Sequence, residues 1–63
     1  MSNLKSLRGA ANLTQAALSQ KSGISRRTIE KYEQNQNDLK NARAHIVISL
    51  ADALGVEPKK LIE

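Results

Sequence analysis

Long polar side chains recur within one short stretch of the chain: Arg26, Arg27, Glu30, Lys31 and Gln34. Because a helix advances by about 100° per residue, a helix over Arg26–Gln34 would gather them on one broad face, opposite Ile29 and Tyr32. An arginine fork can donate two hydrogen bonds to O6 and N7 of guanine, and a glutamate can accept one from the amine of cytosine. Two alternatives stay open: Glu30 pairs with Arg26 one helical turn away, or the cluster is an ordinary solvated surface.

The residues before this stretch predict a shorter helix followed by a tight turn. We expect that helix to run from Gln15 to Ser22, with Leu18 facing the core. Gly23 can adopt the positive φ that ends a helix, and Ser25 carries a hydroxyl that can cap the next one. A helix, a glycine turn and a second helix with an apolar back and a polar front predict a helix-turn-helix.

The N-terminal part of the chain predicts one further helix. A cap at Ser2 or Asn3 would begin this helix, which would run to about Ala11. Asn12 is the residue expected to end it. Thr14 is the predicted cap of the second helix.

A longer helix is predicted in the second half of the chain. It should begin within residues 39–43, after a cap at Asp38 or Asn41, and end at Leu54, where Gly55 stops it. Its apolar residues follow the spacing of an amphipathic helix: Ile46, Val47, Leu50, Ala51 and Leu54.

A last short helix is predicted near the end of the chain. Pro58 suits a first helical turn, and Leu61 and Ile62 are expected to fold back on the other helices. No alternating strand pattern is present in the sequence. The chain is therefore expected to form an all-α bundle of five helices.

The composition limits the chain to one small domain, residues 1–63. Its net charge of +4 is compatible with a polyanionic partner, but many unrelated proteins are equally basic. With no Cys and one His, the sequence predicts no metal site and no cofactor. The lack of a long apolar run predicts no membrane contact and a cytoplasmic protein.

One set of residues resembles a known family: Thr14-Gln15, Leu18, Gly23-Ile24-Ser25, Ile29, Tyr32-Glu33 and residues 50–56. In this spacing they are similar to phage repressors and Cro proteins, the XRE-like class of helix-turn-helix proteins. The resemblance covers nearly the whole chain. It implies a lambda-repressor-like five-helix bundle that lays its third helix in the major groove of double-stranded DNA, as a homodimer on a pseudo-palindromic site.

The helix faces and the resemblance together assign roles to individual residues. One group is expected to contact bases from the third helix: Arg26, Arg27, Lys31 and Glu30. A second group is expected to contact phosphates: Gln15, Thr28, Asn35, Gln36 and Asn37. The sequence departs from the family at three places. The connection to the fourth helix is longer, Ser22 replaces an apolar residue, and Asn35 replaces a glycine.

Two further sets of residues concern the scaffold and a second copy of the chain. Arg8 and Glu33 match a family pair that joins the first helix to the third as a structural strut, and the alternative is two unrelated surface charges. Ile48, Val56 and Leu61 are predicted to form a weak homodimer interface that DNA strengthens. In the alternative, Ile48 packs under the long connection and DNA alone holds the pair.

These expectations favour a sequence-specific DNA-binding transcriptional regulator, a repressor. The alternative is a protein-interaction module, such as an antitoxin-like partner of another protein. The cationic front of the third helix favours DNA, because an apolar front would have favoured a protein. Nothing in the sequence supports an enzyme.

Overall fold

The computed structural model describes residues 3–34 and 39–62, and within these ranges it contains five α-helices and no strand. The helices are α1 (Asn3–Ala10), α2 (Gln15–Ser22), α3 (Arg26–Glu33), α4 (Ala44–Leu54) and α5 (Lys59–Ile62). A 3₁₀ turn at Leu39–Asn41 precedes α4. The predicted all-α five-helix fold is therefore confirmed, and α1, α2 and α3 agree with their predicted bounds to within one residue.

Two side-chain caps begin the helices of the helix-turn-helix, and both are the predicted ones. The hydroxyl of Thr14 accepts a hydrogen bond of 3.0 Å from the backbone N–H of Ala17 at the start of α2. The hydroxyl of Ser25 accepts one of 3.2 Å from the N–H of Thr28 at the start of α3. A cap of this kind contributes about 1 kcal/mol, so each helix has a fixed first turn.

Residues with left-handed backbone end three of the helices. Asn12 follows α1 with φ 58°, Gly23 follows α2 with φ 77°, and Gly55 follows α4 with φ 71°. In the turn after α2, the hydroxyl of Ser22 accepts a hydrogen bond of 3.1 Å from the backbone N–H of Ile24. The polar residue that replaces the family's apolar one thus helps to fix the turn.

The beginning of α4 differs from the prediction. The helix begins at Ala44, and its N-cap residue is Arg43, which makes no side-chain capping bond. The predicted cap at Asn41 is wrong because the 3₁₀ turn includes that residue, so the chain makes a separate turn before α4. The other predicted cap, Asp38, and the left-handed residue predicted at Asn35 lie outside the described residues.

The core takes one completely buried side chain from each of the first four helices: Leu4, Leu18, Ile29 and Leu50. Each such burial stabilises the fold by about 1.5–3 kcal/mol. Leu61 on α5 is only 3% exposed and Leu39 in the 3₁₀ turn only 5%, so both also lie in the core. Ile62 is 37% exposed, and the prediction that it folds back is wrong because Leu61 occupies the inward side of a single-turn helix.

Other helices pack against the apolar side of α3. α1 and α2 both pack against α3, while α4 packs against α2 and α5 packs against α1. Tyr32 packs against the core together with the buried Ile29, as predicted for the apolar side of α3. The opposite side of α3 is therefore the side that remains for a partner.

Candidate nucleic-acid interface

The exposed side of α3 carries the cationic residues that the sequence places there. Arg26, Arg27 and Lys31 are exposed, Glu30 is half-buried, and Ile29 on the opposite side is completely buried. The predicted separation of a polar front from an apolar back is therefore confirmed. Contact of these side chains with bases stays a prediction.

Among the residues that the structure describes, no carboxylate pairs with the cationic groups on this front. Over residues 3–34 and 39–62, the ion pairs are Arg8 with Glu33 and Lys59 with Glu57. The alternative in which Glu30 pairs with Arg26 is not observed. With no ion pair to residues 3–34 or 39–62, the cationic groups of the α3 front can meet negative charge on a partner.

Two hydroxyl groups meet at the start of α3. The Oγ of Ser25 and the Oγ1 of Thr28 are 2.8 Å apart, so one of them donates a hydrogen bond to the other. Each hydroxyl has a single hydrogen, which leaves one hydrogen between the two groups for an external acceptor. Thr28 was predicted to contact phosphate, and the structure adds Ser25 as a second residue that can supply the same donor.

The strut predicted between Arg8 and Glu33 is present as a bidentate ion pair. Nε of Arg8 donates to Oε2 at 2.6 Å, and Nη2 donates to Oε1 at 3.1 Å. Nη1 of Arg8 also donates to the carbonyl oxygen of Leu13 at 2.8 Å. Two parallel bonds fix the relative orientation of the groups as well as their distance. The pair therefore ties α3 to α1 and to the turn that leads into α2.

Gln15 contacts the same carboxylate, which the sequence did not predict. Its Nε2 donates to Oε1 of Glu33 at 3.0 Å, across a separation of 18 residues in the chain. One signal was available: Glu33 follows the buried Ile29 by one helical turn, so its carboxylate had to lie near the core and needed several donors. The phosphate contact of Gln15 stays a prediction. The bond to Glu33 is compatible with it, because the amide keeps a second hydrogen to donate.

Burial and hydrogen bonding act in opposite directions on the pKa of Glu33. The side chain is 4% exposed, and this burial alone would raise its pKa. Hydrogen bonds from Arg8 and Gln15, with the positive charges of Arg8 and Lys5, outweigh burial and lower the pKa below its ordinary value. The hydrogen bond to Glu33 is likewise the main reason that the pKa of Arg8 is raised. Glu33 is therefore a stable anion at neutral pH.

Only part of the predicted dimer surface is exposed. Ile48 is 56% exposed on α4, which is compatible with its predicted place at an interface. Val56 is half-buried against the core. The prediction for Leu61 is wrong, because its side chain fills the core and is 3% exposed. The predicted phosphate contacts Asn35, Gln36 and Asn37 lie outside the described residues.

Comparison with known protein families identifies the class to which the fold and this front belong. A family model described as helix-turn-helix matches residues 4–61 of the chain. The chain therefore belongs to the helix-turn-helix family, a family of DNA-binding regulators, and the resemblance to the XRE-like class is confirmed. No curated protein and no solved structure matched the chain. None of the helices described is long and apolar enough to cross a membrane.

Proposed function

We propose that this protein is a sequence-specific transcriptional repressor that reads the major groove of double-stranded DNA with α3. The observation that carries the proposal is the α3 front, where Arg26, Arg27 and Lys31 are exposed and have no carboxylate partner within the described ranges. The major groove admits one α-helix, and arginine forks match the acceptors of guanine there. Glu30 lies at the edge of the same front and can accept from cytosine. A DNA partner is compatible with the cytoplasmic location predicted from the sequence.

Contacts to the DNA backbone would orient α3 in the groove. We assign them to the start of α2, through Gln15, and to the start of α3, through the one hydroxyl hydrogen that the bond between Ser25 and Thr28 leaves unused. Both sites are helix N-termini, where backbone N–H groups favour an anion. Such contacts set the register of a protein on DNA but carry no base information.

We further propose that two copies bind one pseudo-palindromic site. A single α3 reads few base pairs, which is too little to select one site among the many in a genome. A two-fold pair would place its two α3 helices about 34–36 Å apart, one turn of DNA. Ile48 is the exposed apolar residue that we assign to the contact between copies, together with the half-buried Val56. So small a patch predicts weak association that DNA strengthens.

The alternative function is a protein-interaction module with a partner such as a toxin. The buried core of a protein–protein interface is depleted of charged residues. The α3 front is cationic and polar, and the exposed large apolar side chains in the described part of the chain are Ile48 on α4 and Ile62 on α5. This distribution favours DNA for α3 and a second copy of the chain for the α4 end.

Selection from random duplex DNA tests the proposal. The expected result is an enriched pseudo-palindrome bound at least about a thousandfold more tightly than random sequence at the same salt concentration. Sedimentation with one such duplex should show two protein copies bound. No enriched sequence would contradict base reading, and a saturated one-to-one complex on a palindrome would contradict the pair. A reporter gene carrying the selected site then separates repression from activation.

A further inference from the structure

The carboxylate of Glu33 accepts a third hydrogen bond in addition to the two from Arg8 that join α1 to α3. Arg8 donates to Oε2 at 2.6 Å and to Oε1 at 3.1 Å, and Gln15 donates to Oε1 at 3.0 Å. The third bond ties the ion pair to the first residue of α2. Glu33 therefore connects the interior scaffold with a residue at the surface proposed to face the DNA backbone.

Gln15 and its neighbours keep donors that the protein does not use. An amide nitrogen carries two hydrogens, and Glu33 takes one of them. At the start of α2, Thr14 caps the N–H of Ala17, while the N–H groups of Gln15 and Ala16 have no acceptor among the described residues. The remaining amide hydrogen and these backbone donors would suit a phosphate oxygen.

A phosphate at this place would lie close to the carboxylate. The two N–H directions of an amide nitrogen diverge by about 120° and each hydrogen bond spans about 3 Å, so the two acceptor oxygens would be about 5 Å apart. Two negative charges at that distance repel each other. Arg8 supplies the opposite charge through its two bonds to the carboxylate, and Lys5 adds positive charge from the same helix.

We propose that Glu33 is a positioning residue that holds the side chain of Gln15 for a contact with a DNA phosphate, and that Arg8 cancels the carboxylate charge that would otherwise repel this phosphate. The proposal rests on the proposed function. It gives the ion pair a role in binding as well as in folding. A purely structural pair would stabilise the fold without changing how DNA affinity depends on pH.

The variant Arg8→Met separates the two roles, because it keeps an apolar stem and removes the charge. At pH 8 its dissociation constant for the selected duplex should be about tenfold that of the wild type. Without the Arg8 donors, burial raises the pKa of Glu33, opposed by the Gln15 hydrogen bond and the Lys5 charge. Glu33 should therefore take up its proton at a higher pH in this variant than in the wild type. The ratio of the two dissociation constants should therefore be closer to one at pH 5.5 than at pH 8, since protonation removes the repulsion.

Two further variants test whether the carboxylate charge causes the loss of affinity. Adding Glu33→Gln to Arg8→Met keeps an acceptor for Gln15 without charge, so the dissociation constant should return to within about threefold of the wild type at both pH values. Arg43→Met removes an exposed arginine that has no carboxylate partner in the described part of the chain. Any loss it causes should be the same at both pH values. Comparing each variant with the wild type at the same pH removes titrations that all of them share.

A ratio that stays constant between pH 8 and 5.5, or a double variant no better than Arg8→Met, would overturn the proposal. Circular dichroism at each pH corrects for any unfolded fraction. If Arg8→Met does not fold, NMR hydrogen exchange on the wild type in its DNA complex tests the phosphate contact instead. Both side-chain amide hydrogens of Gln15 should exchange slowly with solvent in the DNA complex, and protection of only one overturns the phosphate contact. Failure of the wild type to bind any duplex selectively refutes the proposed function and this inference together, whereas selective binding with a constant ratio refutes only the inference.

Discussion

Removal of Arg8 should destabilise the fold more than removal of its partner. In Arg8→Ala the carboxylate of Glu33, 4% exposed, would keep only the hydrogen bond from Gln15. Breaking a buried ion pair from one side costs about 3–5 kcal/mol, and we expect about 3 kcal/mol because Arg8 is 17% exposed. In Glu33→Ala the guanidinium keeps its bond to the carbonyl of Leu13 and some access to water, so about 2 kcal/mol is expected.

The double variant should cost less than the sum of the two single variants. With both groups gone no charge is left buried, and about 3 kcal/mol is expected for the pair, which gives a coupling of about 2 kcal/mol. At roughly 0.05–0.15 kcal/mol per residue, a chain of this length has a total stability of roughly 3–9 kcal/mol. The single change at Arg8 therefore removes a large part of it, and the melts are best run near 10–20 °C, roughly where stability is greatest.

Urea melts followed by circular dichroism at neutral pH measure this coupling, with all four slopes compared to confirm that unfolding exposes the same surface. A matched control is available in Lys59 and Glu57, whose charged atoms are 3.6 Å apart and whose side chains are both 71% exposed. Their coupling should be about 0–1 kcal/mol. Additive effects of Arg8→Ala and Glu33→Ala, or a coupling no larger than that of the control pair, would refute the reasoning.

Three other results are expected. Because the pKa of Glu33 is lowered in the folded protein, its contribution to stability is complete above the unfolded pKa of about 4.3 and is lost as the pH falls through the lower folded pKa. Glu33→Gln should therefore make the free energy of unfolding, measured by urea melts, depend less on pH at the acid end. Gly9→Ala should raise the free energy of unfolding by about 0.5–1 kcal/mol, because an added Cβ meets no atom within 4 Å. Gly23→Ala should lower it by about 1–2 kcal/mol because of the φ of 77° at that residue. A higher free energy of unfolding for Gly23→Ala would contradict the turn geometry. Ile48→Lys should change stability by less than about 0.5 kcal/mol but weaken cooperative binding to a palindromic duplex in sedimentation, and unchanged cooperativity would remove this interface.

Local patterns predicted the helices well because their signals act over a few residues. The hydroxyls of Thr14 and Ser25 cap the residue three positions ahead, and Gly23 ends α2 through its own backbone conformation. These interactions need no knowledge of the rest of the fold, so the sequence alone was enough to place the helix-turn-helix.

Contacts between distant parts of the chain were harder to predict. Leu61 and Ile62 are neighbours in one helical turn, and only the position of the core decides which of them is buried. The bond from Gln15 to Glu33 depends on how α2 crosses α3, which no local pattern specifies. The Arg8 pair was predicted only because the family supplied it.

Base reading by α3 is the central claim, and one binding measurement tests it directly. Arg26→Ala and Arg27→Ala are compared with the wild type on the selected duplex and on random duplex, at one salt concentration. Both side chains are exposed at the start of α3. We predict that at least one change costs about 1–3 kcal/mol on the selected duplex, costs much less on random DNA, and relaxes selection at one base pair in each half-site. Equal losses on both duplexes would mean that these arginines contact only phosphates, and would contradict the claim.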